Sequence, residues 1–182
     1  MTARDIDRSL DRLSLEMIER NHGIDNLALV GIHTGGVFLA DRIRKKIAAR
    51  ENVEIPAGSL DITLYRDDWS LISQNPLVKK TDISFLVEDR VVVLIDDVVF
   101  TGRTIRAAMD AIMDFGRPDA VQLAVLVDRG GRELPIQPDY VGLNLSVGRD
   151  ELVDVLLREG SGRDEVVIRR SAGAATRLGR ME

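Results

Sequence analysis

Two adjacent carboxylates, Asp96 and Asp97, followed closely by Thr101-Gly102-Arg103-Thr104, are the residues of this chain best suited to chemistry. Five apolar residues, Val91 to Ile95, precede the acids, and Val98, Val99 and Phe100 separate them from the Thr-Gly turn. A buried strand placed this way delivers both acids to the carboxyl end of a parallel sheet, where such folds bind ligands. The turn leads into a helix expected over Ile105 to Phe115. Its successive main-chain N–H groups, two hydroxyls and a helix N-terminus make a cradle for one phosphate. Gly102 lets the backbone approach closely. Carboxylates beside that cradle repel a phosphate unless something stands between them. A ribose does so, because its vicinal hydroxyls donate to the acids while its 5′-phosphate reaches the turn. An Asp-Asp pair alone reads more simply as two solvated acids at a strand end, but the whole pattern of strand, acids, turn and helix points to the sugar phosphate. The turn is not a Walker A loop, which needs GxxxxGK[ST].

Composition narrows the alternatives. The 182 residues contain no cysteine and two histidines, His22 and His33. That excludes a disulfide framework, a thiol nucleophile, a cysteine zinc site and a three-histidine metal centre, while leaving a Ser-His-Asp arrangement open. The length suits one domain, and a hydrophobic fraction of 45% can build its core. A net charge of −5 argues against a surface that grips nucleic acid everywhere, although a local basic face is compatible with it. The charged N-terminal stretch lacks the apolar core of an export signal, and no run approaches a membrane span, so the expected location is cytoplasmic.

The elements that must position the acids follow from periodicity. Ile6, Leu10, Leu13, Met17 and Ile18 place an amphipathic helix over Asp5–Asn21, with Gly23 as its C-cap. Leu27–Gly31 reads as a buried strand, Val37–Ala49 as a helix, and Leu60–Tyr65 as a strand. Arg66–Glu88 is long and polar and reads as an excursion or hairpin. Val121–Val127 is another buried strand. This order predicts an α/β fold with a mostly parallel, open sheet flanked by helices. Beyond Asp128, Gly130, Gly131, Pro135, Pro138 and Gly142 break the chain into pieces expected to form a small cap at the sheet edge. One domain is expected over residues 1–168, with 169–182 as a disordered basic tail.

At this point the residues resemble a family. VVVLIDDVVFTGRTI is similar to the 5-phosphoribosyl-1-pyrophosphate (PRPP) motif of type I phosphoribosyltransferases. MIERN, LVGIHTGGVFLADRI, LDITLYRDDWS and LAVLVDRGGRELPIQPDYVG, in that order, resemble the PyrR group, which joins uracil phosphoribosyltransferase activity to attenuation of pyrimidine operons. The resemblance spans about residues 10–157. It implies a type I phosphoribosyltransferase fold with a small hood mainly within residues 128–157. Asp96 and Asp97 would hold the ribose 2′- and 3′-hydroxyls, with Val98, Val99 and Phe100 continuing the PRPP-binding stretch. Thr101, Gly102, Arg103 and Thr104 would bind the 5′-phosphate. Thr34, Gly35 and Gly36 match the pyrophosphate loop, which often follows a non-proline cis bond; alone, that segment reads equally as an ordinary strand-to-helix turn. Arg66 begins the loop that covers PRPP and joins Asp96 and Asp97 as a catalytic residue. Phe100 stands where related 6-oxopurine enzymes carry an aspartate, which favours a pyrimidine. Arg129 and Val153 would line the base and nucleotide pocket beneath a hood formed from Asp128 to Pro138.

The implied reaction is uracil plus PRPP giving UMP and pyrophosphate, with Mg²⁺ carried by PRPP rather than by dedicated protein ligands. No side chain suggests itself as base for the uracil N–H. Assembly as a homodimer or homotetramer is expected. An enzyme without RNA binding, or a purine phosphoribosyltransferase, are the alternatives. The chain departs from the family at Gly35, where Thr-Arg-Gly is usual, at His33, where a lysine is common, and at Gly131, where a histidine is usual. Asp11, Leu15, Gly131, Gln137 and Leu143 replace polar or basic residues of the RNA-facing surface, while Arg12 and Arg132 remain. This depletion predicts weak or absent binding of pyrimidine-operon leader mRNA.

Overall fold

The computed structural model describes residues 1–67, 80–148 and 150–170. Helix α1 (Ala3–Arg20) leads into strand β1 (Leu27–Ile32), helix α2 (Gly35–Glu51) and strand β2 (Ala57–Leu60). Strand β3 (Val91–Val99), helix α3 (Arg103–Met113), and strands β4 (Ala120–Asp128) and β5 (Tyr140–Asn144) follow. These five strands form one parallel sheet in the order β2-β1-β3-β4-β5. Strands β6 (Glu151–Leu156) and β7 (Glu165–Arg170) pair separately as an antiparallel hairpin.

The alternation of side chains along a strand divides the core in two. On one face, Val93 and Ile95 of β3 pack with Ile6, Leu10, Leu13 and Met17 of α1 and with Leu39, Ile43 and Ile47 of α2. On the other, Val92 and Leu94 pack with Ile105, Ala108 and Ile112 of α3. The crossover from β1 runs through α2 to β2, and the crossover from β3 runs through α3 to β4 on the opposite face. The sheet therefore changes winding direction between β1 and β3, which is where open α/β sheets form their ligand crevice.

Several expectations require correction. Helix α2 starts at Gly35 rather than Val37 and ends at Glu51. The helix-poor glycines of its first turn are needed for contact: a Cβ on Gly36 would lie 2.1 Å from the carbonyl oxygen of Ile95. The strand expected over Leu60–Tyr65 ends at Leu60, and Thr63–Tyr65 is a 3₁₀ turn. Asp61 drives that exit by accepting hydrogen bonds from Thr63 N at 2.9 Å and Thr63 Oγ1 at 2.5 Å. The C-cap of α1 is Asn21, and the left-handed turn beyond it is shared by His22 and Gly23. Much of the excursion expected over Arg66–Glu88 lies outside the described residues, but Asp82 returns to bridge Ser59 antiparallel.

Residues after Asp128 do more than cap the sheet. Tyr140–Asn144 is a fifth strand of the main sheet, so the stretch expected as a hood contains sheet as well as cover. Gly142, read as a breaker, serves close approach instead, because its Cβ would meet the carbonyl oxygen of Leu126 at 2.5 Å. The hairpin extends the ordered fold through Arg170, with Arg169 paired to Asp154; residues 171–182 of the expected tail lie outside the described residues. Arg42 of α2 anchors the hairpin through Glu159, at 2.9 and 2.6 Å, and Asp164, at 2.6 Å. Among the described residues, no helix is long and apolar enough to cross a membrane.

Candidate active site

Asp96 and Asp97 lie inside β3 rather than just beyond it, because hydrogen bonding to β4 continues past them, Asp96 facing Val125 and Val98 facing Val127. Being consecutive in a strand, they point to opposite faces of the sheet. Asp97 meets the N-terminus of α2, so closely that a Cβ on Gly35 would lie 2.2 Å from its Oδ2. The arginine usual at this position in the resembling family has no space here without moving the carboxylate. Having no side chain, Gly35 allows the close approach of Asp97 to the loop.

The acids are electrostatically exposed to each other and sheltered from water. Asp96 is 6% accessible and accepts a hydrogen bond from Asp97 N at 2.9 Å, while Asp97 accepts from Val98 N at 2.8 Å. Burial, followed by the negative charge of Asp97, pushes the Asp96 carboxyl well above its ordinary value. Burial also raises Asp97. Such a pair gains from a ligand that donates hydroxyls or brings positive charge.

The other expected site residues gather around it. The His33–Thr34 peptide bond is cis, directly before the loop of Thr34, Gly35 and Gly36. A cavity of about 170 Å³ is lined by Thr34, Gly35, Phe38 and Asp97 on one side and by Val155 and Leu156 of β6 on the other. Gly102, with φ 92°, is the N-cap of α3, and in its first turn Arg103 N donates to Thr101 Oγ1 at 3.4 Å. Arg103 bridges Asp67 and Glu133 through its side chain. Arg66 follows the 3₁₀ turn, whose Tyr65 carbonyl accepts from Arg106 Nη2 at 2.9 Å, so this turn is held against α3.

The hood is tied to this cradle. Glu133 N and Leu134 N donate to the Thr101 carbonyl at 3.0 and 3.1 Å. Arg132 donates to Phe100 O and Ile136 O, both at 2.9 Å, and to Asp128 Oδ2 at 2.5 Å. Burial works to raise Asp128, but Arg132 and the Gly130 N–H outweigh it and hold the carboxyl below its ordinary value. Beneath the hood lies a second cavity of about 610 Å³, lined by Phe100, Arg129, Gly131, Arg132, Glu133 and Val147. Its size is that of a small-molecule site. Phe100 and Arg129 are brought together there. Val153 is not among the residues lining either cavity; it is half-buried in β6 and packs on the core with Val155. Periodicity gave no sign of the contribution of Val155 and Leu156, because their strand pairs only with β7.

A sheet that changes direction beside an acid pair, a phosphate cradle and a hooded cavity defines a phosphoribosyltransferase, and the phosphoribosyl transferase domain family matches residues 3–153. The bifunctional protein PyrR of Deinococcus radiodurans is 52% identical over 166 residues, covering 91% of both chains. That of Syntrophobacter fumaroxidans is 54% identical over 174 residues, covering 96% of this chain and 94% of the relative. The chain belongs to the PyrR family of phosphoribosyltransferases. Among solved structures, the hypoxanthine phosphoribosyltransferase of Trypanosoma cruzi in complex with the product IMP superposes with a TM-score of 0.62 at 18% identity, covering 80% of this chain and 74% of the other. A hypoxanthine phosphoribosyltransferase of Staphylococcus aureus gives 0.61 at 21%, covering 84% and 78%. These structures share the fold.

The raised pKa of Asp96 has a consequence for stability. The folded state retains a proton that the unfolded state releases above the ordinary value of 3.8, so stability falls as pH rises through the raised folded pKa. Asp96→Asn, which keeps the acceptor for Asp97 N, is expected to melt above the parent at pH 8, with each kcal/mol giving about 2–4 °C. Thermal unfolding across pH 4–8 should show the difference shrinking toward pH 4. A parent that melts higher than the variant at pH 8 would contradict the assignment.

Proposed function

We propose that the chain transfers the 5-phosphoribosyl group of PRPP to uracil, releasing UMP and pyrophosphate. The carrying observation is the acid pair of buried Asp96 and half-buried Asp97, lying between the Thr34-Gly35-Gly36 loop and the N-terminus of α3. As pyrophosphate leaves, C1 of the ribose develops positive charge. Asp96 and Asp97, held in a water-poor setting, accept the ribose hydroxyls and favour that charge. The main chain of Thr101 to Thr104 anchors the 5′-phosphate, and Thr34 to Gly36 orient the pyrophosphate. Arg66, at the start of the covering segment, keeps water from the reacting carbon.

The donor set fits Mg²⁺ carried by PRPP. A buried and a half-buried carboxylate, both with raised pKa values, favour a nearby cation. When bound, the ion neutralises the departing pyrophosphate. For the base, Phe100 offers an apolar ring where purine recognition uses a carboxylate, and Arg129 can donate to a carbonyl oxygen. This combination supports uracil over hypoxanthine or guanine. Cytoplasmic location and assembly as a homodimer or homotetramer are carried by family membership.

Initial rates with uracil, hypoxanthine and guanine under one PRPP concentration test the reading. UMP should form fastest, and Asp97→Asn should lower kcat by about 100-fold or more. Faster transfer to hypoxanthine, or no UMP from the parent chain, would overturn it.

The relatives are named bifunctional, which supports a second activity, UMP-dependent binding of pyrimidine-operon leader mRNA. The basic groups nearest that expected face are engaged within the protein. Arg12 donates to Val141 O at 2.9 Å and Gly142 O at 2.8 Å, and Arg132 braces the hood. Lys46 pairs with Asp7 and Asp11, and Leu15 is exposed. Few phosphate contacts are left to such a face, so leader binding should strengthen with UMP yet fall only shallowly with salt. A gel shift across a salt series checks both. Equal binding with and without UMP, and to unrelated RNA, would remove the regulatory role.

A further inference from the structure

Arg129 is 9% accessible, yet its Nε has no hydrogen-bond partner among the described residues. A buried donor without an acceptor is costly, so the contacts that hold this side chain in place carry weight. The guanidinium is held instead by the ring of Phe100, whose centroid lies 4.0 Å from Cζ. That ring occupies the space in which a side chain at 131 would begin. A Cβ on Gly131 would stand 2.4 Å from Phe100 Cε2 and 3.0 Å from Cδ2. Gly131 also has φ 78°, in the left-handed region. Its neighbour Gly130, with φ 68°, shares that backbone region, but a Cβ there would meet no described atom within 4 Å.

We propose that Gly131 is a positioning residue for the base. Its missing side chain seats Phe100 beneath Arg129, and the seated pair holds the Arg129 guanidinium in the wall of the hood cavity, where its terminal N–H groups serve a carbonyl oxygen of a planar heterocycle. The proposal rests on the uracil reading of that cavity and adds a residue to it. The conflict at 131 is with the far end of a side chain rather than with backbone. A substitution there is accommodated by swinging the ring away, so the fold survives while the seat is lost.

Two variants separate seating from backbone strain. Gly131→Ala and Gly130→Ala both add a Cβ at a left-handed position, and only the former meets the ring. In steady-state assays of the full chain, the uracil KM of Gly131→Ala should exceed that of Gly130→Ala by about fivefold or more, the scale of a lost cation–π contact. The PRPP KM and kcat of the two should agree within about twofold, and in a Phe100→Ala background Gly131→Ala should change the uracil KM by less than about twofold. Equal uracil KM values for the two glycine variants, or an undiminished loss in the Phe100→Ala background, would overturn the proposal. The Arg129 Nε–H resonance supplies a readout independent of turnover. Phe100 should shift it upfield in the parent, and Gly131→Ala should abolish that shift. If the parent makes no UMP, the uracil reading falls while this resonance still decides the seating. A shift that survives Gly131→Ala refutes it.

Discussion

Holding two neighbouring carboxylates out of water at the end of one strand is the constraint around which this molecule is arranged. Among the described residues no cation offsets the shift of either acid, and burial raises both. They sit in the central strand, where pairing to β4 continues past them and the sheet stays hydrogen-bonded. The helices then converge on that strand from opposite sides. Helix α2 arrives so close that Gly35 and Gly36 leave no space for side chains, and α3 opens with Gly102 as its N-cap. A binding site that destabilises its empty protein and is relieved by its ligand is an ordinary trade of stability for function.

Cations are plentiful nearby, and most are committed to holding parts together. Arg132 joins β4, the Thr101 turn and the hood, Arg103 joins that turn to Asp67 and Glu133, and Arg42 of α2 fixes the β6–β7 hairpin. Arg12 serves the same purpose between α1 and β5. Arg129 is the exception in the hood, buried against Phe100 with one donor unspent.

The acid pair, the cradle and the alternation of strands and helices were legible in the sequence because each is a local pattern whose physics needs few distant contacts. The strand Val91–Ile95 was read correctly in kind and cut short, since Asp96 and Asp97 look like an ending unless hydrogen bonding to β4 is known. Strand β5 and the start of α2 were hidden by glycine. At Gly142, Gly35 and Gly36 the residue answers to a neighbouring backbone or carboxylate, which no local propensity records. The turn at Thr63–Tyr65 was missed because one side chain, Asp61, outweighed an alternating apolar pattern. Gly131 drew notice only as a departure from a family pattern, and its relation to Phe100 exists in space alone.

Carboxyl-carbon NMR titration of Asp96 and Asp97, with and without ribose 5-phosphate, tests the central claim most directly. Both groups should titrate above the ordinary aspartate value of 3.8 in the free protein, and the sugar hydroxyls should draw them downward. Ordinary titration in the free chain, or curves indifferent to ribose 5-phosphate, would contradict it.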